Sequence, residues 1–162
     1  MTLARSEIES LYRSHGPIVL RRARTLLGSD TDAQEALQEI FASILKSPHE
    51  LRDARSVVGW LYQATTHFCL NLLRNQRTGA RLLEQVSRPS LPQAALSNAE
   101  ALAEVRSLLA LMPADVASAV VYHHLDGMTH AEVAELLGCS RRQVGYLLER
   151  AQQSALRAEQ TA

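Results

Sequence analysis

The chain has 162 residues, of which 46% are hydrophobic and only 4% aromatic, enough aliphatic material for one compact domain or two small ones built from helices. Its 17 basic and 17 acidic residues balance, so overall charge selects neither nucleic acid nor an acidic surface as a partner. No run approaches the roughly 18 consecutive apolar residues of a membrane span, and Glu7 and Glu9 break the basic-then-apolar order of a secretory leader, so the expectation is a soluble, all-α, cytoplasmic protein without membrane insertion.

Charge is uneven along the chain. Residues 1–78 hold 10 basic and 8 acidic side chains, whereas residues 99–162 hold 5 and 8. Within that acidic third, Arg141, Arg142, Arg150 and Arg157 all fall in the last stretch, which leaves room for a local positive patch. Cys69 and Cys139 each sit among apolar helical residues with no C-x-x-C pair, and read as reduced core residues.

In chain order, Ile8, Leu11 and Tyr12, then Ile18, Val19, Ala23, Leu26 and Leu27, predict two helices broken at Gly16-Pro17. Thr31 or Asp30 can cap the next helix, in which Ala33, Ala36, Leu37, Ile40, Phe41, Ile44 and Leu45 recur at threes and fours and so share one stripe. Ser47-Pro48 ends it. A longer helix runs from about Val57 to Gln76, with Val57, Val58, Leu61, Thr65, Phe68, Leu72 and Leu73 inward. These elements make a first helical bundle, residues 1–78.

Residues 79–98 carry RPSLPQAALSN, with two prolines and no apolar period, and read as a linker. Periodicity resumes at Leu102, Val105, Leu108, Leu109 and Met112, breaks at Pro113, and continues through Val116, Ala119 and Val120 to Asp126-Gly127. The rest of the second domain, residues 99–162, is MTHAEVAELLGCSRRQVGYLLERA and its tail. Thr129 with Glu132 and Ser140 with Gln143 fit two capping boxes, and Gly138 supplies a left-handed stop between them. Two capped helices with Ala131, Val133, Ala134, Leu137, Val144, Leu147 and Leu148 available to pack describe a helix-turn-helix. At 100° per residue, the outward face of its second helix carries Arg142, Tyr146, Glu149 and Gln153, beside Arg141, Gln143 and Arg150. Arg, Gln and Glu match guanine, adenine and cytosine edges, and Tyr or Arg matches phosphate. A plain helical hairpin with a solvated polar face fits the same turn spacing.

The first bundle offers two further surfaces. Opposite the apolar stripe of the 57–76 helix lies a row of Ser56, Trp60, Gln63, His67, Asn71 and Arg74, whose amide, imidazole and guanidinium groups beside an indole suit unpaired bases. Trp60 equally suits a core anchor. On the preceding helix, Asp32, Glu35, Gln38 and Glu39 form an acidic outer face, either simply solvated or complementary to a basic partner helix.

Three stretches, DAQEALQEIFASIL at 32–45, GWLYQATTHFCLNLLRNQR at 59–77, and LMPADVASAVV with LDGMTHAEVAELLGCSRRQVGYLLERA within 111–151, together resemble the extracytoplasmic-function sigma factors of bacterial RNA polymerase. The resemblance covers nearly the whole chain in the family's order. The D-A-x-x-x-x-Q-E-x-F pattern matches Asp32, Ala33, Gln38, Glu39 and Phe41, which implies docking of this helix on the clamp helices of the largest polymerase subunit. The W-L-Y pattern matches Trp60, Leu61 and Tyr62 and implies that the polar row meets a melted minus-ten element. The helix-turn-helix would read the minus-thirty-five element. Further partners implied are the polymerase flap and an anti-sigma factor.

The recognition helix departs from the family pattern. Gln143, Val144, Gly145, Tyr146 and Leu147 stand where Thr-Val-Lys-Ser-Arg is usual, and Glu149, Arg150, Ala151 and Gln152 where His-Arg-Ala-Arg is usual. The missing positive charges imply weaker, less salt-dependent binding to the upstream element. Asn71 replaces a common Asp.

No metal or cofactor is expected. Adjacent His123 and His124 point about 100° apart on a helix, which makes shared ligation with His130 and Cys139 awkward. No phosphate loop, nucleophile elbow or His-Glu-x-x-His motif points to an enzyme. Two other readings remain open on the residues alone: a polymerase-independent helix-turn-helix regulator, and a protein-binding adaptor.

Overall fold

The computed structural model describes residues 3–52, 56–84 and 98–161. Among the described residues every regular element is helical. They are α1 (Arg5–Leu27), α2 (Asp30–Lys46), α3 (Pro48–Arg52), α4 (Val57–Glu84), α5 (Asn98–Leu111), α6 (Ala114–Val120), a π-helical turn (Val121–Leu125), α7 (His130–Leu137) and α8 (Arg141–Thr161). The chain divides into two compact units, Met1–Cys69 and Leu70–Ala162. Helix α4 continues to Glu84, so residues 79–84 of the stretch read as a linker are helical, and its residues 85–97 lie outside the described residues.

In the first unit, the break expected at Gly16-Pro17 does not occur, and α1 runs through it as one helix. Proline at position 17 removes one backbone donor and presses on the preceding turn. That local cost is overridden by burial of Ile8, Val19, Ala23, Leu26 and Leu27 along one side of an uninterrupted helix. Gly16 is buried where a Cβ would come within 3.9 Å of Leu37 Cδ1, so the glycine lies at the contact with α2, while Pro17 faces solvent. The helix stops at Gly28, whose φ of 68° is the left-handed conformation that glycine adopts without a Cβ penalty.

Ser29, and not Thr31 or Asp30, caps α2: its hydroxyl accepts the Asp32 N–H at 3.3 Å. Across the same turn the Arg24 Nε donates to Asp30 Oδ1 at 2.6 Å. The buried stripe of α2 is Ala33, Ala36, Leu37, Ile40, Phe41 and Ile44, as the spacing predicts, but Leu45 falls outside it at 58% exposed. Ile8, Val19, Leu37, Ile40, Phe41, Ile44, Leu51 and Leu61 form the core cluster, with Leu11, Leu20, Trp60 and Phe68 packed on its rim. Val57 and Val58, expected inward, are exposed, because the buried face of α4 begins only at Leu61. Thr65, Thr66 and Cys69 continue that face in this unit.

In the second unit, Pro113 closes α5 and precedes α6, of which Val116, Ala117, Ser118 and Ala119 are buried. The helix then loosens into the π turn, closed by the Asp126 N–H to Val121 O bond at 3.0 Å. Leu70, Leu73, Leu109, Met112, Val121, Tyr122, Val133, Ala134, Val144, Leu147 and Ala151 are also buried in this unit.

Candidate nucleic-acid interface

The turn that aims α8 is built from the residues the sequence marks for it. Thr129 Oγ1 accepts the Glu132 N–H at 3.2 Å, and Glu132 Oε2 accepts the Thr129 N–H at 2.7 Å, so two orphan donors at the start of α7 are satisfied reciprocally. Gly138, at φ 68° and ψ 35°, ends α7. Its N–H and that of Cys139 both return to the Ala134 carbonyl. Ser140 Oγ then accepts the Gln143 N–H at 3.1 Å and opens α8. Val133 and Ala134 of α7 and Val144 and Leu147 of α8 are buried, which locks the two helices; Ala131, counted with them from the sequence, is exposed one position outside that stripe.

Locking these apolar positions leaves Arg141, Arg142, Gln143, Tyr146, Glu149 and Gln153 exposed. Tyr146 is 54% exposed, and the guanidinium carbon of half-buried Arg150 lies 5.9 Å from its ring centroid. The N-terminal turn of α8 thus combines the positive end of the helix dipole with two guanidinium groups, chemistry suited to an anionic backbone. Gln143 and Tyr146 follow at positions able to meet groove edges.

Glu149 differs from its neighbours. It also lines an apolar groove of about 720 Å³, with Gly145 and Leu148 of α8, Leu108 and Leu109 of α5, and Leu125. The groove was not read from the sequence, because α5 and α8 are separated by the whole helix-turn-helix; the apolar periodicity of α5 is its only local trace. On its wall the His123 ring lies 4.8 Å from that of His124 and 4.9 Å from that of His130, and its Nδ1 is 2.7 Å from the Met128 carbonyl oxygen. Among the described residues no His, Cys, Asp and Glu group is arranged to hold a metal ion.

On α4 the polar row is graded. Ser56, His67 and Asn71 are exposed, whereas Trp60, Gln63 and Arg74 are half-buried. Ser56 also serves the helix, accepting the Gly59 N–H on its hydroxyl at 3.2 Å and the Trp60 N–H on its carbonyl at 3.0 Å. Trp60 rests on the core cluster, so its indole is anchored while part of it stays accessible. The opposite face of α4 carries a contact the sequence did not announce: Arg22 of α1 lies over the Tyr62 ring, 4.3 Å from its centroid, and donates to Thr66 Oγ1. One turn on, burial pushes the Cys69 thiol from 9.0 up to about 12, an effect the Arg22 cation partly offsets.

On α2, Glu35, Gln38 and Glu39 are exposed on the side away from the buried stripe, and Asp32 is half-buried in the first turn. The acidic face read from the sequence is therefore presented by a helix fixed on its other side by the core.

Residues 11–78 match the family model for Sigma-70 region 2, and residues 102–153 match that for Sigma-70, region 4. The chain is 25% identical over 138 residues to the extracytoplasmic-function sigma factor SigE of Mycolicibacterium smegmatis, covering 80% of this chain and 52% of that protein. It is 29% identical over 149 residues to the sigma-E factor of Streptomyces coelicolor, covering 90% and 81%. The chain belongs to the extracytoplasmic-function group of the sigma-70 family. This sigma-family chain spans about half the length of SigE, so the two are not equivalent throughout. In three dimensions it resembles the sigma factor RpoE of Bartonella quintana, crystallised with the anti-sigma factor NepR, with a TM-score of 0.53 and 14% identity over 91% of this chain and 92% of that one. At that identity the likeness establishes the all-α fold. No helix among the described residues is long and apolar enough to cross a membrane.

Proposed function

We propose that this chain is an alternative sigma factor that joins core RNA polymerase and directs it to promoters. It acts in the cytoplasm as an initiation factor and not as an enzyme, and requires no cofactor. The observation that carries this reading is the succession, in family order, of three outward polar surfaces on rigid helices: Asp32, Glu35, Gln38 and Glu39 on α2, the Trp60 row on α4, and the Arg141–Arg142 start of α8.

Each surface has a role its chemistry suits. The α2 carboxylates and amide meet a basic helix of the polymerase clamp. Trp60, Gln63, His67, Asn71 and Arg74, with Ser56 at the helix start, take the bases of the opened minus-ten strand by stacking and edge hydrogen bonds. Arg141 and Arg142 hold phosphate at the N-terminus of α8, while Gln143, Tyr146, Glu149 and Arg150 face the minus-thirty-five element. Residues 1–78 and 99–162 act as the two promoter-contacting modules. The apolar groove of the second unit receives a partner helix, from the polymerase flap or from an anti-sigma factor such as the one that accompanies RpoE.

Run-off transcription with core polymerase and a promoter library tests the proposal. The wild-type chain is expected to capture the core and start transcription at a defined site. Replacing Gln38 and Glu39 together by lysine is expected to abolish capture while helicity is kept. Operator binding without polymerase, or capture of other proteins without transcription, would replace this reading by the regulator or the adaptor.

A further inference from the structure

The Arg22 contact is unusually constrained. Its Nη2 donates to Thr66 Oγ1 at 2.8 Å and its Nε to the same oxygen at 3.2 Å, while the guanidinium plane covers Tyr62. Thr66 in turn donates its own hydroxyl proton to the Tyr62 carbonyl at 2.7 Å. That bond leaves the oxygen's lone pairs facing Arg22, so the acceptor is pre-oriented. One cation therefore holds the ring of Tyr62 and the hydroxyl of Thr66, two groups one helical turn apart.

Apolar packing holds α4 in the first unit through Leu61, Ala64 and Phe68, and a polar contact adds to it. Its buried face in the first unit includes Thr65 and Thr66, whose hydroxyls both turn back onto their own helix, and Val57 and Val58 at its start are exposed. Helices α1 and α2 are closely apposed, and the Arg22 side chain of α1 reaches Tyr62 and Thr66 of α4. A planar, forked guanidinium bonded at the edge and stacked on a face fixes both the axial position and the rotation of the helix it grips. Tyr62 and Thr66 lie on the side of α4 away from Trp60 and His67, so any rotation allowed at the grip is transferred to that row.

We propose that Arg22 is a positioning residue, which sets the rotation of α4 and thereby the presentation of Trp60, Gln63 and His67 to the opened strand. The functional part of this inference rests on the sigma reading. The structural part does not, because Trp60 is the only tryptophan of the chain and reports its own surroundings.

Arg22→Lys keeps the charge and loses the fork and the stack, and Thr66→Val keeps the shape and loses the acceptor. In the isolated full chain, each is expected to red-shift Trp60 emission and increase its quenching by acrylamide at unchanged far-ultraviolet helicity. The double variant is expected to match the singles, since both remove one coupled contact. Assembled with core polymerase, both variants are expected to bind the core as wild type does and to open a duplex promoter on the order of tenfold more slowly, with the defect reduced on a pre-opened template. Unchanged Trp60 emission and quenching in both variants would overturn the inference, as would additive effects in the double variant. A wild-type chain that fails to open any promoter would count against the sigma reading alone, leaving the fluorescence comparison to decide the role of Arg22. Should Arg22→Lys lower helicity, Thr66→Val, which removes no charge, decides alone.

Discussion

Gly138 and Gly145 should respond in opposite directions to the same substitution. Gly138 sits at φ 68°, and a Cβ built there meets nothing within 4 Å, so alanine pays only the left-handed backbone penalty, about 1 to 2 kcal/mol. The stiffer unfolded chain returns about 0.4 to 1 kcal/mol of this, leaving Gly138→Ala destabilised by about 1 kcal/mol. Gly145 lies inside α8 and likewise meets nothing within 4 Å, so Gly145→Ala gains helix propensity, about 0.5 to 1 kcal/mol. Global melting of a two-unit chain mixes separate transitions, whereas native-state hydrogen exchange reads each helix by itself. Amides of α7 should exchange about fivefold faster in Gly138→Ala, those of α8 should slow in Gly145→Ala, and the double variant should show both changes, each in its own helix. Wild-type exchange in Gly138→Ala, or faster exchange of α8 in Gly145→Ala, would refute the assignment of one glycine to a conformational stop and the other to an open helical surface.

Further outcomes can be stated briefly. Pro17→Ala restores a backbone donor inside α1 and should raise the protection of that helix by about 1 to 3 kcal/mol; lower protection would show that packing depends on the proline. Iodoacetamide at neutral pH should label half-buried Cys139 well before Cys69, whose thiol is pushed up to about 12, and mass spectrometry of the peptides reads the order. Because the folded thiol holds its proton more tightly than the unfolded one, its contribution to stability is complete below 9.0 and lost as pH rises toward about 12. Cys69→Ala should therefore flatten the alkaline fall in stability. Arg142→Ala should cost about 1 to 3 kcal/mol at one or two base pairs if the side chain reads a base, and binding across a promoter library distinguishes this from the uniform loss expected of a phosphate contact.

What the sequence disclosed follows the range of the forces involved. The helix-turn-helix was legible because its signals are local: Thr129, Glu132, Gly138 and Ser140 each act within a few residues of themselves, and each makes the bond or dihedral its type implies. The break at Gly16-Pro17 was misread for the complementary reason, since burial along the whole of α1 outweighs a local rule. Val57, Val58 and Leu45 satisfy the helical period yet stay exposed, which spacing alone does not reveal. Arg22 and Thr66 are 44 positions apart, so their contact has no trace in either neighbourhood. Trp60 fits both of its readings, anchored on the core and partly accessible.

The π turn from Val121 to Leu125 accommodates one residue more per turn than the helix it continues. Deleting one residue there would leave the number that an ordinary helical turn takes, without breaking the helix. Because the wider turn absorbs that extra residue, everything downstream would keep nearly the same direction about the axis of α6. The chain can thus lose a codon at this point and keep both its fold and the aim of α8, whereas a deletion inside α6 would swing everything beyond it by about 100°.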